Sequence, residues 1–111
     1  MALLLHKFDR GISPAELKEF ITKYRVCAVY IYTSWCSSCK RIGPIFEKVS
    51  EEFPELCFLY VNLGDSRWIN QKFNIHSIPY LLFIKNQKLT NKVRFDGTKG
   101  HLIELIKKEL K

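Results

Sequence analysis

What this 111-residue chain lacks narrows its function first. It has no low-complexity tract and no internal repeat, so disordered, fibrous and solenoid classes are excluded. No apolar run approaches the roughly 20 residues that a membrane helix needs, and a soluble chain is expected. Ala2-Leu3-Leu4-Leu5 meets His6 and Lys7 at once, shorter than a secretory h-region and without a small-residue cleavage site. A cytoplasmic protein, or the processed form of one imported into an organelle, is the expectation. No linker or composition shift marks a boundary, so residues 1–111 read as one domain.

Cysteine is sparse but patterned. Cys27, Cys36, Cys39 and Cys57 follow the order C-x8-C-x2-C-x17-C. That order lacks the second close pair of a zinc ribbon, so no metal site is assigned. Basic residues are in excess, with a net charge of +7. Residues 83–111 hold eight Lys or Arg against three acids. They carry neither aromatic interleaving nor a nucleic-acid motif. The charge is therefore read as a preference for acidic protein partners, not for nucleic acid or membrane.

The chain is otherwise rich in apolar residues, and their spacing defines elements. Ser13-Pro14-Ala15-Glu16 offers an N-cap, a first-turn proline and a capping box. The stripe Leu17, Phe20, Ile21 and Tyr24 then has helical spacing. Val26 to Tyr32 is a continuous β-branched and aromatic run, expected to be a strand covered on both faces in a sheet parallel at its centre. A second stripe at Ile42, Ile45, Phe46, Val49 and Phe53 predicts a helix from Cys36 to about Phe53, kinked by Pro44.

Leu56 to Leu63 repeats the buried-strand pattern. Asp65 or Ser66 is expected to cap a short helix with Trp68, Ile69 and Phe73, Trp68 being filler for the core or a partner face. Tyr80 to Ile84, a turn at 85–88 and Val93-Arg94-Phe95 form a hairpin whose second arm alternates like an edge strand. Thr98 can cap a last helix with the stripe Leu102, Leu105, Ile106 and Leu110, its final turns carrying Lys107, Lys108 and Lys111. The order is βαβαβαββα, an α/β fold with a central mixed sheet flanked by helices.

Trp35-Cys36-Ser37-Ser38-Cys39-Lys40 lies where a buried strand gives way to a helix, and a close cysteine pair there reads as a redox motif. Unpaired amides at a helix start favour a thiolate at Cys36, the expected nucleophile. Cys39, one turn further in, is placed to resolve a mixed disulfide formed on Cys36. Lys40 and Arg41 are read as a solvated face that can also steer acidic partners.

Together with the Trp-Cys-x-x-Cys-Lys block, Pro44 in the following helix, Ile78-Pro79 before a buried strand and Gly97 before the last helix make the chain resemble a thioredoxin over nearly its whole length. The resemblance implies the thioredoxin fold and reduction of protein disulfides by a monomer, with no cofactor beyond the Cys36–Cys39 pair. It implies re-reduction by thioredoxin reductase or a glutathione system. It also implies a cis Pro79, and a substrate groove lined by Trp35, Ser37, Ser38, Ser77, Ile78, Pro79 and Gly97.

Five positions depart from the family pattern. Ser37 and Ser38 replace the usual Gly-Pro. A hydroxyl beside the sulfur and a looser turn predict a reduction potential less negative than about −270 mV. Tyr30 stands where the family has a buried acid, Tyr60 where it has a lysine and Tyr32 where it has a tryptophan. Phenols are too weakly acidic to act as ready bases at neutral pH, so slower activation of Cys39 is expected. His76 is a candidate substitute base. The alternative reading is a thioredoxin-like binding module whose dithiol is vestigial or regulatory. Cys27 and Cys57, early in neighbouring strands and on one face, are read as packing residues, with pairing the other option.

Overall fold

The computed structural model describes residues 5–75, 77–95 and 97–110. Its elements run β1 (Leu5–Phe8), α1 (Pro14–Lys23), β2 (Val26–Tyr32), α2 (Ser37–Ser50), β3 (Cys57–Asn62), α3 (Arg67–Phe73), β4 (Tyr80–Lys85), β5 (Lys88–Arg94) and α4 (Lys99–Leu110). A single 3-10 turn, Leu63–Asp65, joins β3 to α3. None of the described helices is long and apolar enough to cross a membrane.

Five strands form one sheet in the order β1-β3-β2-β4-β5. β3 is parallel to both β1 and β2, whereas β4 is antiparallel to β2 and β5. The sheet is therefore not parallel throughout its centre: β2 has one neighbour of each sense. Composition could not show this, because a strand covered on both faces reads the same beside either kind of partner.

Strand parity divides the core into two layers. Ala28, Tyr30, Phe58, Leu81 and Phe83 face α2 and α4, meeting Ile42, Phe46, Leu102 and Ile106. Cys27, Val29, Ile31, Leu59, Val61 and Leu82 face α1 and α3, meeting Leu17 and Ile69. Alternate residues of β2 thus serve opposite layers, which is why the whole strand is apolar.

The helix ends follow their local chemistry. Ser13 Oγ accepts from Glu16 N at 3.1 Å and Glu16 Oε1 accepts from Ser13 N at 3.0 Å, completing the capping box. Thr98 Oγ1 accepts from His101 N at 3.2 Å at the start of α4. Pro44 lies within α2, which extends from Ser37 to Ser50; Phe53, beyond its end, is still buried.

The predicted cap of α3 is corrected. Ser66 sits at the N-cap but makes no capping bond; its Oγ accepts from Ile12 N at 2.8 Å. The buried hydroxyl serves the loop after β1 instead, where Trp68 Nε1 also donates to Ile12 O at 2.7 Å. The predicted second arm of the hairpin, Val93 to Phe95, is too short. β5 starts at Lys88, because an exposed edge strand is held by its ladder to β4 and needs no apolar pattern. The turn places Asn86 and Gln87 at φ 52° and 68°, positive at both central positions as a two-residue hairpin requires.

Candidate functional site

Four segments meet at one end of the sheet. β2 and β3 run parallel and finish there, so Trp35-Cys36 and the 3-10 turn leave from the same edge. β4 is antiparallel to β2 and starts there, with Ile31 opposite Tyr80, which brings in Ser77, Ile78 and Pro79. β5 ends opposite Tyr80 through Arg94, delivering Gly97.

Cys36 occupies the N-cap of α2, with extended backbone. Its amide donates to Thr33 O at 3.3 Å, which closes the turn out of β2. Its Sγ accepts from Cys39 N at 3.1 Å, so the sulfur takes the part that a serine or aspartate oxygen plays at other helix starts. Cys36 and Cys39 form a disulfide with Cα atoms 5.3 Å apart, well within the span such a bond bridges. Cys39 is 2% exposed, while Cys36 is only partly buried. An incoming thiol or disulfide therefore reaches Cys36 before Cys39.

Beneath the pair lies Tyr30, fully buried, whose hydroxyl donates to Cys39 O at 3.2 Å. Its ring stacks on Tyr60 at 5.0 Å and on Phe46 at 5.1 Å between centroids. Tyr30 and Tyr60 are register partners across β2 and β3. Burial first, then the neighbouring Tyr60, pushes the Tyr30 phenol above its ordinary value. Tyr32, next on that face, donates to Asp9 Oδ1 and packs against Tyr60. A stack of phenols thus packs beneath Cys39, and burial pushes those of Tyr30 and Tyr60 above their ordinary value, away from service as bases.

Trp35 is 75% exposed, an unusual setting for an indole. Ser37 and Ser77 are exposed, Ser38, Ile78 and Gly97 half-buried and Pro79 buried. The Ile78–Pro79 peptide is cis. Pro79 O accepts from Phe95 N at 3.1 Å, which ties the start of β4 to the segment entering Gly97. His76, the candidate substitute base, lies outside the described residues. Lys40 and Arg41 are exposed on α2.

Cys27 and Cys57 are both free, both wholly buried, and face each other across β2 and β3. Hydrogen bonding with Cys27, then burial, pushes the Cys57 thiol up. Among the described residues no group of three or more His, Cys, Asp or Glu is placed to hold a metal ion.

The sequence did not point to the other wall of Trp35. A cleft of about 390 Å³ opens between its indole and α3, lined by Thr33, Leu63, Gly64, Arg67, Asn70 and Gln71 as well. None of these residues has a telling neighbour in sequence; the 3-10 turn brings them together.

Comparison with known proteins gives consistent results. The thioredoxin family model matches residues 10–108. A curated H-type thioredoxin of Picea mariana is 37% identical over 79 residues, covering 71% of this chain and 63% of that protein. A thioredoxin of Mycoplasmoides gallisepticum is 32% identical over 93 residues, covering 84% of this chain and 93% of that protein. Among solved structures, Fasciola hepatica thioredoxin has a TM-score of 0.79 at 26% identity, covering 86% of this chain and 92% of that one. A thioredoxin variant from Halobacterium salinarum reaches a TM-score of 0.88 at 14% identity, over 100% of this chain and 96% of that one, a likeness of fold alone.

Proposed function

The chain belongs to the thioredoxin family, and from that membership we propose that it reduces disulfide bonds in other proteins. The family, the fold and the cysteine pair support thiol–disulfide oxidoreductase chemistry. The observation that carries the finer reading is the unequal exposure of the pair, with Cys36 accessible and Cys39 buried behind it.

In the reduced form, the Cys36 thiolate attacks one sulfur of a substrate disulfide, forming a mixed disulfide and expelling the other sulfur as a thiolate. Cys39, deprotonated, then attacks Cys36 Sγ. The Cys36–Cys39 bond forms, the mixed disulfide breaks, and the second substrate cysteine leaves reduced. Two electrons have passed to the substrate, and the protein holds the disulfide. Thioredoxin reductase or a glutathione system returns the electrons. In this reading Trp35, Ser77, Ile78, Pro79 and Gly97 shape the groove for the substrate strand, and the basic surface favours acidic partners at encounter.

One observation favours a second reading, a binding module with a regulatory dithiol: Tyr30 fills the place under Cys39 and supplies no base. Trapping separates the two. A Cys39→Ser protein that reduces disulfides accumulates mixed disulfides through Cys36, which dithiothreitol releases. A binding module instead holds its partners equally well with both cysteines replaced. Failure to catalyse insulin reduction in dithiothreitol would count against the reductase reading.

A further inference from the structure

The cleft between Trp35 and α3 adjoins the implied substrate groove, the two meeting at Trp35. Of the groove residues only Trp35 lines it; Cys36, Ser77, Ile78, Pro79 and Gly97 do not. Its floor is close-packed at Gly64, where a Cβ would stand 3.4 Å from Trp35 Cη2 and 3.2 Å from Asn62 Oδ1. A methyl there would press on the Asn62 amide oxygen and rest against the indole at ordinary contact distance.

Of the polar groups around this cleft, Arg67 is donor only, while the amides and the hydroxyl can donate or accept. Arg67 offers guanidinium N–H groups, and Asn70 and Gln71 offer amides, all three on the exposed side of α3. Thr33 also lines it, is 4% exposed, and its hydroxyl has no hydrogen-bond partner. Buried hydroxyls are normally satisfied, and one left over beside a cleft marks a place for a ligand. Among the described lining residues Arg67 carries the one formal charge.

We propose that this cleft is a specificity subsite that takes the carboxylate side chain of an acidic residue close to the reactive cysteine of a substrate polypeptide. The proposal rests on the reading of the chain as a disulfide reductase. Trp35 adjoins Cys36 in sequence, so a peptide joined to Cys36 passes along its indole. An acidic residue beside the substrate cysteine then reaches Arg67, whose planar fork suits a carboxylate. The position of the acid, not just its sign, sets the preference.

The test uses the full chain, reduced, and three disulfide-linked reporter peptides identical but for Glu, Gln or Lys next to each cysteine. The second-order rate constant for reduction is the readout. At low salt the Glu peptide is expected to react about threefold faster than the Gln peptide and the Lys peptide slower, a gap that narrows as salt rises. Arg67→Glu is expected to reverse the order and Arg67→Gln to abolish the Glu preference. Lys18→Glu, an equal charge change on α1 away from the cleft, retains it. A Glu preference that survives Arg67→Glu, or that falls as far in Lys18→Glu, overturns the subsite and leaves only the overall charge. If the Gln peptide is not reduced either, the reductase reading itself has failed and the subsite falls with it.

Discussion

The Tyr30 hydroxyl and the Cys39 carbonyl oxygen are joined by a 3.2 Å hydrogen bond that links the middle strand of the sheet to the first turn of the helix bearing the dithiol. Tyr30→Phe removes that bond and keeps the ring stack with Tyr60 and Phe46. The expected cost is about 1 kcal/mol in urea unfolding. Because burial holds the phenol above its ordinary range, Tyr30→Phe is also expected to leave the pH profile of Cys39 attack unchanged. A shifted profile in single-turnover kinetics would show that the phenol takes part in proton transfer.

Gly43 and Tyr60 are coupled. A Cβ on Gly43 would lie 2.3 Å from the Tyr60 hydroxyl oxygen, closer than atoms approach. Gly→Ala inside a helix ordinarily stabilises by about 1 kcal/mol, but here Gly43→Ala is expected to destabilise. In a Tyr60→Phe background the loss shrinks, and a double-mutant cycle should return a coupling of about 1 kcal/mol. Strict additivity would mean that the clash is relieved elsewhere.

Cys27 and Cys57 are sealed in the α1 layer. Reduced protein treated with iodoacetamide is expected to label at Cys36 first, with Cys27 and Cys57 modified only as the chain unfolds. Mass spectrometry along a urea series checks this. Fast native labelling at Cys57 contradicts both its burial and its raised thiol.

His6 gives the fold a pH dependence. Burial, and then the Lys23 ammonium, hold its imidazole below the ordinary value of 6.5; its ring lies 4.7 Å from Phe20 and its Nε2 is buried without a partner. Between the lowered value and 6.5 the unfolded chain binds more protons than the folded one. Stability from this group is therefore full above that window and lost as pH falls through it. His6→Phe is expected to reduce the difference in urea midpoint between pH 7.5 and pH 5; an unchanged difference assigns the effect to other groups.

Where periodicity and local chemistry carry the signal, the sequence was readable. The capping box at Ser13 and Glu16, the stripe Ile42, Phe46 and Val49, and the motif from Trp35 to Lys40 are short-range features. Each is set by residues within a turn or two of one another, so their meaning does not depend on distant packing. β5 escaped for the opposite reason. Its residues from Lys88 to Lys92 are mostly polar and exposed, and only pairing with β4 makes them a strand.

The same division applies to the site. Spacing at one helix start pointed to Cys36 and Cys39 as the pair, and the resemblance to the thioredoxin family showed that Tyr30 stands in the place of its buried acid. Tertiary structure alone decided that Ser66 bonds to Ile12 and that Thr33, Gly64 and Arg67 share a cleft with Trp35. Those contacts join segments tens of residues apart, and their geometry is fixed by strand order and register, which no local pattern encodes.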